Sequence, residues 1–560
     1  MRASSTRWTL AALLLLLGLT AQPAAAEERE VVILYTNDFH SAIEPIPAYW
    51  MPRDAGEPMP RLGGAAELMT LVERIRAEEE RAGNPVFLFD AGDMFTGMLA
   101  KLTDGEALME MMLTLGYDAF GIGNHEFDYG WRSFRDQMFR MPYPSLGANI
   151  FYAGTDIPFS QPHAILEKEG VRLGVVGVIG QDARSAILPS NVTELDFRDP
   201  APAVERSIAA LEDDVDLIVV LAHQGHTGPQ QTDAEAHPEV QRDFDADIAL
   251  CGAVAGIDVF VGGHAHRGIE VPYVHPETGS IIVQTYGYGT RLGYLRVRVD
   301  TATGEVTSHE GELLKVWSRE LGPHPTMLER MAVYQERVAP LIGEVVGRSP
   351  FRLTRRYNAE SLLGAFATDV LREVTGAEIA FVNAGGLRAD LPAGEITKGD
   401  VQDAFPFQDT PVVLEMTGAD VVAVLEQGLT LLRGMVQVSG LAARYDLERP
   451  PGARLVSVAV GGEPLDRARV YRVATNSFLA QGGDLYEPAA AGRGALRLPA
   501  RPCRQGGGAG MSRRVVAVIG AGISGLAATR ALREEGLDPT TFDKSSHIDG
   551  LCHYDEPRAG

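Results

Sequence analysis

Residues 31–40, Val-Val-Ile-Leu-Tyr-Thr-Asn-Asp-Phe-His, form an unbroken apolar and β-branched run that ends on a carboxylate and an imidazole. A short apolar run of this kind reads as a strand. Ligating side chains just past the end of such a strand fall where α/β folds place their sites. The pattern recurs four times. PVFLFDA (85–91) precedes Gly92-Asp93, AFGI (119–122) precedes Gly123-Asn124-His125-Glu126, LIVVLA (217–222) precedes His223, and IDVFVGG (257–263) precedes His264-Ala265-His266. Helical periodicities such as AAELMTLVERIRAEEE (65–80) and AVERSIAALEDD (203–214) lie between them. Strand–helix alternation of this kind predicts an α/β chain.

The five motifs together offer carboxylate, imidazole and amide ligands from five strand ends. Two cations about 3.5–4 Å apart repel strongly and need a bridging anion. Asp93, in a Gly-Asp turn, is the candidate bridge. Asp38 and His40 are spaced to turn toward one ion, Asn124 offers a neutral oxygen, and His223, His264 and His266 offer nitrogens. A mixed N/O set suits Zn, Mn, Fe or Co and does not choose among them. His125 has a separate role. Asp128 follows three residues later, within reach if the segment turns helically. A carboxylate partner favours the charged imidazole, so His125 can stabilise developing charge or protonate a leaving oxygen while Asp128 orients it. Glu126 reads as local structure.

The motifs DFH, GD, GNHEFD, the strand-terminal His223 and GHAH resemble the calcineurin-like metallophosphoesterases, specifically the 5'-nucleotidase family. The resemblance implies a metallophosphoesterase β-sandwich flanked by helices, with Asp38, His40, Asp93, Asn124, His223, His264 and His266 at a dimetal site. It also implies that His125 and Asp128 form the catalytic dyad, and that the metals polarise phosphoryl oxygens and generate a hydroxide for in-line attack. Ser41 stands where the family commonly has Gly.

The second half of the chain points the same way. FVNAGGLRADLPAGEITKGDVQDAFPFQDT (381–410) and FLAQGGDLY (478–486) resemble the family's nucleoside-reading segments. Asn383, Gly385, Gly386 and Arg388 form a tight turn whose N–H groups and guanidinium suit a phosphate. Phe407 and Phe478 come from different segments and can stack on a base, at about 1–3 kcal/mol each. Asp484 can accept from ribose hydroxyls. The family's further arginine, just before a Glu-Thr-Asn-Leu-Gly stretch, has two counterparts here, Arg355 and Arg356. Leu362 replaces the usual Asn in that region, Leu485 replaces a common Gly after Asp484, and the family's closing segment is absent. The expected activity is release of phosphate from nucleoside 5'-phosphates. The alternatives are cleavage of 2',3'-cyclic nucleotides, 3'-nucleotides, UDP-sugars or a thiosulfate-carrying protein, and noncatalytic binding of metal or nucleotide.

The 560 residues carry a net charge of −25, which opposes nonspecific binding to nucleic acid or anionic membranes. Residues 1–26 read as a signal peptide: Arg2 and Arg7, the apolar LAALLLLLGL, then Ala24-Ala25-Ala26. No later run is long enough for a membrane span, so a periplasmic or secreted protein without a membrane anchor is expected. Three cysteines are too few for a disulfide framework, and Cys251 reads as a small core residue. The domain pattern is a metallophosphoesterase domain (27–324), a helical connector (325–345) and a second α/β substrate-binding domain (346–490). A Gly/Ala/Pro/Arg-rich flexible linker (491–510) follows. Residues 511–560 form an incomplete Rossmann-like βαβ tail. There Gly520, Gly522, Gly525 and Asp543 have the placement of a dinucleotide fingerprint. The tail resembles the N-terminus of flavin-containing monooxygenases or related FAD-dependent amine oxidoreductases. It stops far short of a cofactor domain, so FAD is not an expected cofactor, and Met511 reads as the former start of a second protein.

Overall fold

The computed structural model describes residues 28–48, 57–225, 244–407, 409–490, 493–497, 515–519 and 538–542. Residues 1–26, Gly520, Gly522, Gly525 and Asp543 lie outside them. The first half is built on two six-stranded sheets packed face to face. In one, Glu28–Thr36, Val86–Asp90, Ala119–Gly121 and Ser145–Leu146 run parallel, and Arg291–Asp300 and Glu305–Lys315 close the other side antiparallel. In the other, Val171–Ile179, Leu217–Gln224, Val259–His264 and Ile281–Val283 run parallel.

Alternation along each strand assigns its side chains to two faces. Val31, Ile33 and Tyr35 meet Val175, Val219, Leu221 and Val261 in the core between the sheets. Val32, Leu34 and Leu88 turn outward onto Leu68, Val72 and Ile75 of the helix Ala65–Ala82. On the second sheet Val220, Ala222 and Phe260 turn outward onto Val204 and Ile208 of the helix Pro200–Leu211. Cys251 is fully buried in this outer layer, as its apolar neighbours predict. The result is a helix–sheet–sheet–helix sandwich. Continuous apolar strands arise because every residue has a layer to face.

A helix, Pro325–Ile342, leads to the second half, and Val345–Ser349 is already a strand paired with Gly394–Thr397. The second sheet system has the order Gln437–Ser439, Ile379–Val382, Val470–Asn476, Pro411–Thr417, Arg493–Arg497. Arg493–Arg497 falls in the stretch read as linker. It pairs antiparallel with Pro411–Thr417, Val412 opposite Arg497 and Val413 opposite Leu496. A five-residue edge strand bounded by arginines carries little periodicity of its own, and its charges suit an edge position. In the tail, Val515–Ile519 and Asp538–Phe542 pair in parallel, matching the two strands read from sequence. Among the described residues no helix is long and apolar enough to cross a membrane.

Candidate active site

Parallel register sets the geometry. Thr36 pairs with Asp90 and Asp90 with Phe120 in one sheet, and His223 pairs with Gly263 in the other. The five motifs therefore emerge at one rim of the sandwich. Asp38, His40, Asp93, His264 and His266 all adopt left-handed backbone, with φ of 52°, 48°, 64°, 68° and 52°. For non-glycine residues this conformation costs roughly 1–2 kcal/mol each and persists where surrounding structure enforces it. The enforcement is visible: Asp38 N–H donates to Gly92 O at 2.8 Å, and His40 N–H to Asp93 O at 3.0 Å. Gly92 must be glycine. Its φ is 99°, and a Cβ there would lie 2.7 Å from Gly123 N and 2.8 Å from His223 Nδ1.

Two groups of buried ligands result, Asp38–His40–His266 and Asp93–His223–His264, with Asp93 also within reach of His40 and His125. His266 Nε2 lies 3.1 Å from Asp38 Oδ1 and 3.0 Å from His40 Nε2. His223 Nε2 lies 3.1 Å from both Asp93 Oδ2 and Asn124 Oδ1. Two observations fit this donor set to divalent cations. Among the described residues Asp38 Oδ1 is buried with only the 3.1 Å approach of His266 Nε2 and no well-formed hydrogen bond, an arrangement costly for a carboxylate unless a cation answers it. His223 Nδ1 sits 2.8 Å from Ala91 O, so it donates there and aims Nε2 into the site. Burial disfavours charge on His40, His264 and His266, with Arg388 reinforcing the effect at His40, and all three are held below the ordinary imidazole range. Neutral imidazole is the ligating form. Burial also opposes ionisation of Asp93, but the facing His223 and His125 outweigh it and hold that carboxyl well below the usual range.

His125 stands beside this cluster. Its Nδ1 is 2.9 Å from Asp128 Oδ2, and its Nε2 is 3.7 Å from Asp93 Oδ2. Burial works against its charge, but Asp128 and Asp93 prevail and raise its pKa above 6.5. Asp128 is itself held by Thr96 Oγ1 at 3.0 Å. Ser41, with φ of 57°, keeps the left-handed turn and ties its hydroxyl to the Thr96 carbonyl.

Glu126 does more than local structure implies. Its carboxylate accepts N–H bonds from Gly123, Asp93, Met94 and Phe95 at 2.7, 3.0, 2.8 and 3.2 Å. It binds the Asp93 turn to the Asn124–His125 turn, fixing Asp93 against His125.

The opposite wall of the cleft comes from the second half of the chain. Asn383, Gly385, Arg388, Phe407, Phe478 and Asp484 all line it, facing His125, Asp128 and the metal-ligand candidates. Gly386 lies in the same turn, Ala384–Gly386. Arg388 Nη2 is 3.3 Å from His40 Nε2, and Asn383 donates to Asp484 Oδ2 at 2.6 Å. Phe407 stacks on His125, ring centroids 5.6 Å apart and planes 16° from parallel. Asp484 and Leu485 are left-handed, with φ of 53° and 65°, so Leu485 keeps the backbone that a glycine would adopt freely. Arg355 and Arg356 do not line the cleft; Arg356 is exposed. Their loop instead turns toward Asp390, which accepts from the Arg355 N–H at 2.7 Å. A second buried guanidinium near the cluster, besides Arg388, is Arg433, 3.5 Å from His264 Nε2. Its loop, Leu431-Leu432-Arg433-Gly434, carries no motif, so nothing in the sequence singled it out.

Residues 31–268 match the profile of the calcineurin-like phosphoesterases, and residues 342–491 that of the 5'-nucleotidase C-terminal domain. UshA of Salmonella pullorum is 30% identical over 528 residues, covering 85% of this chain and 90% of its own. The chain belongs to the 5'-nucleotidase family. The crystal structure of a 5'-nucleotidase precursor from Thermus thermophilus superposes with a TM-score of 0.72 at 29% identity, covering 84% of this chain and 93% of that one. A 5'-nucleotidase of Diplobatis ommata is 27% identical, covering 81% of this chain and 82% of its own. As a member of the 5'-nucleotidase family the protein is a metal-dependent phosphoric ester hydrolase. Residues 513–559 separately match a flavin-binding monooxygenase-like profile.

Proposed function

We propose that the protein releases phosphate from nucleoside 5'-phosphates, using two divalent metal ions, and that it acts after export. The observation that carries this reading is one cleft lined on one side by the ligand cluster and the His125–Asp128 pair, and on the other by Asn383, Arg388, Phe407, Phe478 and Asp484. Asp38, His40, His266 and Asp93 would hold one ion, and Asp93, Asn124, His223 and His264 the other. When bound, such a pair neutralises phosphate charge and supplies a water-derived nucleophile at neutral pH.

The chain's own groups do the rest. Arg388 and the N–H groups of the 383–386 turn hold the phosphate's outer oxygens. Asp128 accepts from His125 Nδ1, which leaves Nε2 to donate to the departing ribose oxygen as its charge grows. Asp484 accepts from ribose hydroxyls, and Phe407 and Phe478 offer apolar faces to the base. Relatives named 5'-nucleotidase and UshA support the nucleotide reading, and the leader-like residues 1–26 support export.

Phosphate release from AMP, UMP, ATP, UDP-glucose and cyclic nucleotides, with Mn or Zn and with EDTA, tests it. Metal-dependent release fastest from the 5'-monophosphates is expected. Turnover confined to cyclic esters, read as the nucleoside monophosphate formed, or to UDP-glucose, read as UMP and glucose 1-phosphate, would reassign the substrate, and none from any would defeat the reading. Fractionation of the source cell tests export, which predicts the protein outside the cytoplasm.

A further inference from the structure

Asp409 lies at the junction of the two aromatic-bearing segments, two residues after Phe407 and hydrogen-bonded to Phe478. Its Oδ1 accepts from Ser477 Oγ at 2.9 Å and from Phe478 N–H at 3.0 Å. These two donors fix the carboxylate plane. Among the described residues no hydrogen bond reaches Oδ2, and Asp409 lines the cleft. Burial raises its pKa to about 6, against the two hydrogen bonds and with help from Asp128 and Asp484. Above that value it carries a negative charge.

An ionised carboxylate accepts and never donates. The phosphate of a nucleotide presents acceptors and negative charge, so it does not pair with Asp409. The ribose hydroxyls have Asp484, which Asn383 holds in place. The donors that remain belong to the base. Oδ2 is a single acceptor beside the aromatic pair, which matches one exocyclic N–H at the rim of a stacked ring. We propose that Asp409 reads the nucleobase, its Oδ2 accepting from an exocyclic amino group, so that amino-bearing bases are preferred over their oxo counterparts. The inference rests on the nucleotide reading and adds a residue that sets which nucleotide is taken.

The test compares kcat/KM for AMP against IMP and for CMP against UMP, in the full chain with Mn and in the variants Asp409→Ala and Asp409→Asn. Exchange of the amino group for a carbonyl opposite a carboxylate replaces attraction with repulsion. The wild type is expected to prefer the amino member by about 10- to 100-fold, the worth of one hydrogen bond to a charged acceptor. Asp409→Ala is expected to bring both ratios near one. Asp409→Asn keeps an acceptor for Ser477 and Phe478, so it separates base reading from loss of local structure; its ratios should also fall. Wild-type ratios near one, or ratios unmoved in both variants, would overturn the inference while leaving the nucleotidase reading intact. A change in the AMP to 2'-deoxy-AMP ratio in place of the base ratios would also overturn it, by assigning Asp409 to the ribose. Absence of release from every nucleotide would remove the reading on which it rests.

Discussion

His125 and its neighbours define what single side chains do here. On the proposed mechanism His125→Ala removes the group that would protonate the leaving oxygen and keeps the proposed ligands. Turnover should fall by about 10²–10⁴, while metal content measured by atomic emission stays at the wild-type level. Equal loss of metal would assign His125 to the ligands instead. Gly92→Ala should act in the opposite sense. A Cβ there meets Gly123 N and His223 Nδ1, and its φ of 99° adds strain, roughly 1–2 kcal/mol for the left-handed conformation alone. The variant should lose metal on dialysis faster than the wild type. The residues that meet at the cleft were legible in sequence to different degrees. Gly-Asp, Asn-His and His-Ala-His announce themselves because each follows an apolar strand. Glu126 did not, since a carboxylate that serves only backbone N–H groups leaves no spacing signal.

At the scale of elements, the strands carry the site by ending together. Asp258 immediately precedes one of them, Val259–His264. It accepts the Ile218 N–H at 2.7 Å, and burial raises its pKa to about 6 despite that bond. A carboxyl whose folded pKa lies above its ordinary 3.8 penalises the fold wherever it must ionise. The penalty is absent below about pH 3.8, grows across the window, and is complete above about pH 6. Asp258→Asn keeps an acceptor and removes the charge, so its Tm should exceed the wild type's by a few degrees at pH 7.5 and match it near pH 4. A Tm advantage independent of pH would contradict this. Strands with continuous apolar runs were readable from sequence because both faces are covered. Arg493–Arg497 was not, because an edge strand with one partner needs neither a run nor an alternation, and its pairing with Pro411–Thr417 is a long-range fact.

The whole molecule brings two halves of the chain against one cleft. Arg433 joins them. Its Nη2 donates to Asp182 O at 2.9 Å and to Ser185 Oγ at 3.1 Å, both from the metal-bearing half. Arg433→Ala should lower kcat/KM for nucleoside monophosphates about tenfold or more, because it removes a buried charged donor set, without loss of bound metal. An unchanged kcat/KM would show that this contact does not set the register of the halves. Such a residue escapes sequence reading because its meaning lies wholly in a partner 248 positions away. The two halves, by contrast, each carried motifs dense enough to identify.

The most direct measurement is inorganic phosphate released from AMP by the protein stripped with EDTA and then titrated with Mn or Zn. The ligand cluster predicts negligible release when stripped and recovery that saturates at two ions per chain. Full activity in excess EDTA, or saturation at one ion, would contradict a site built around a shared Asp93.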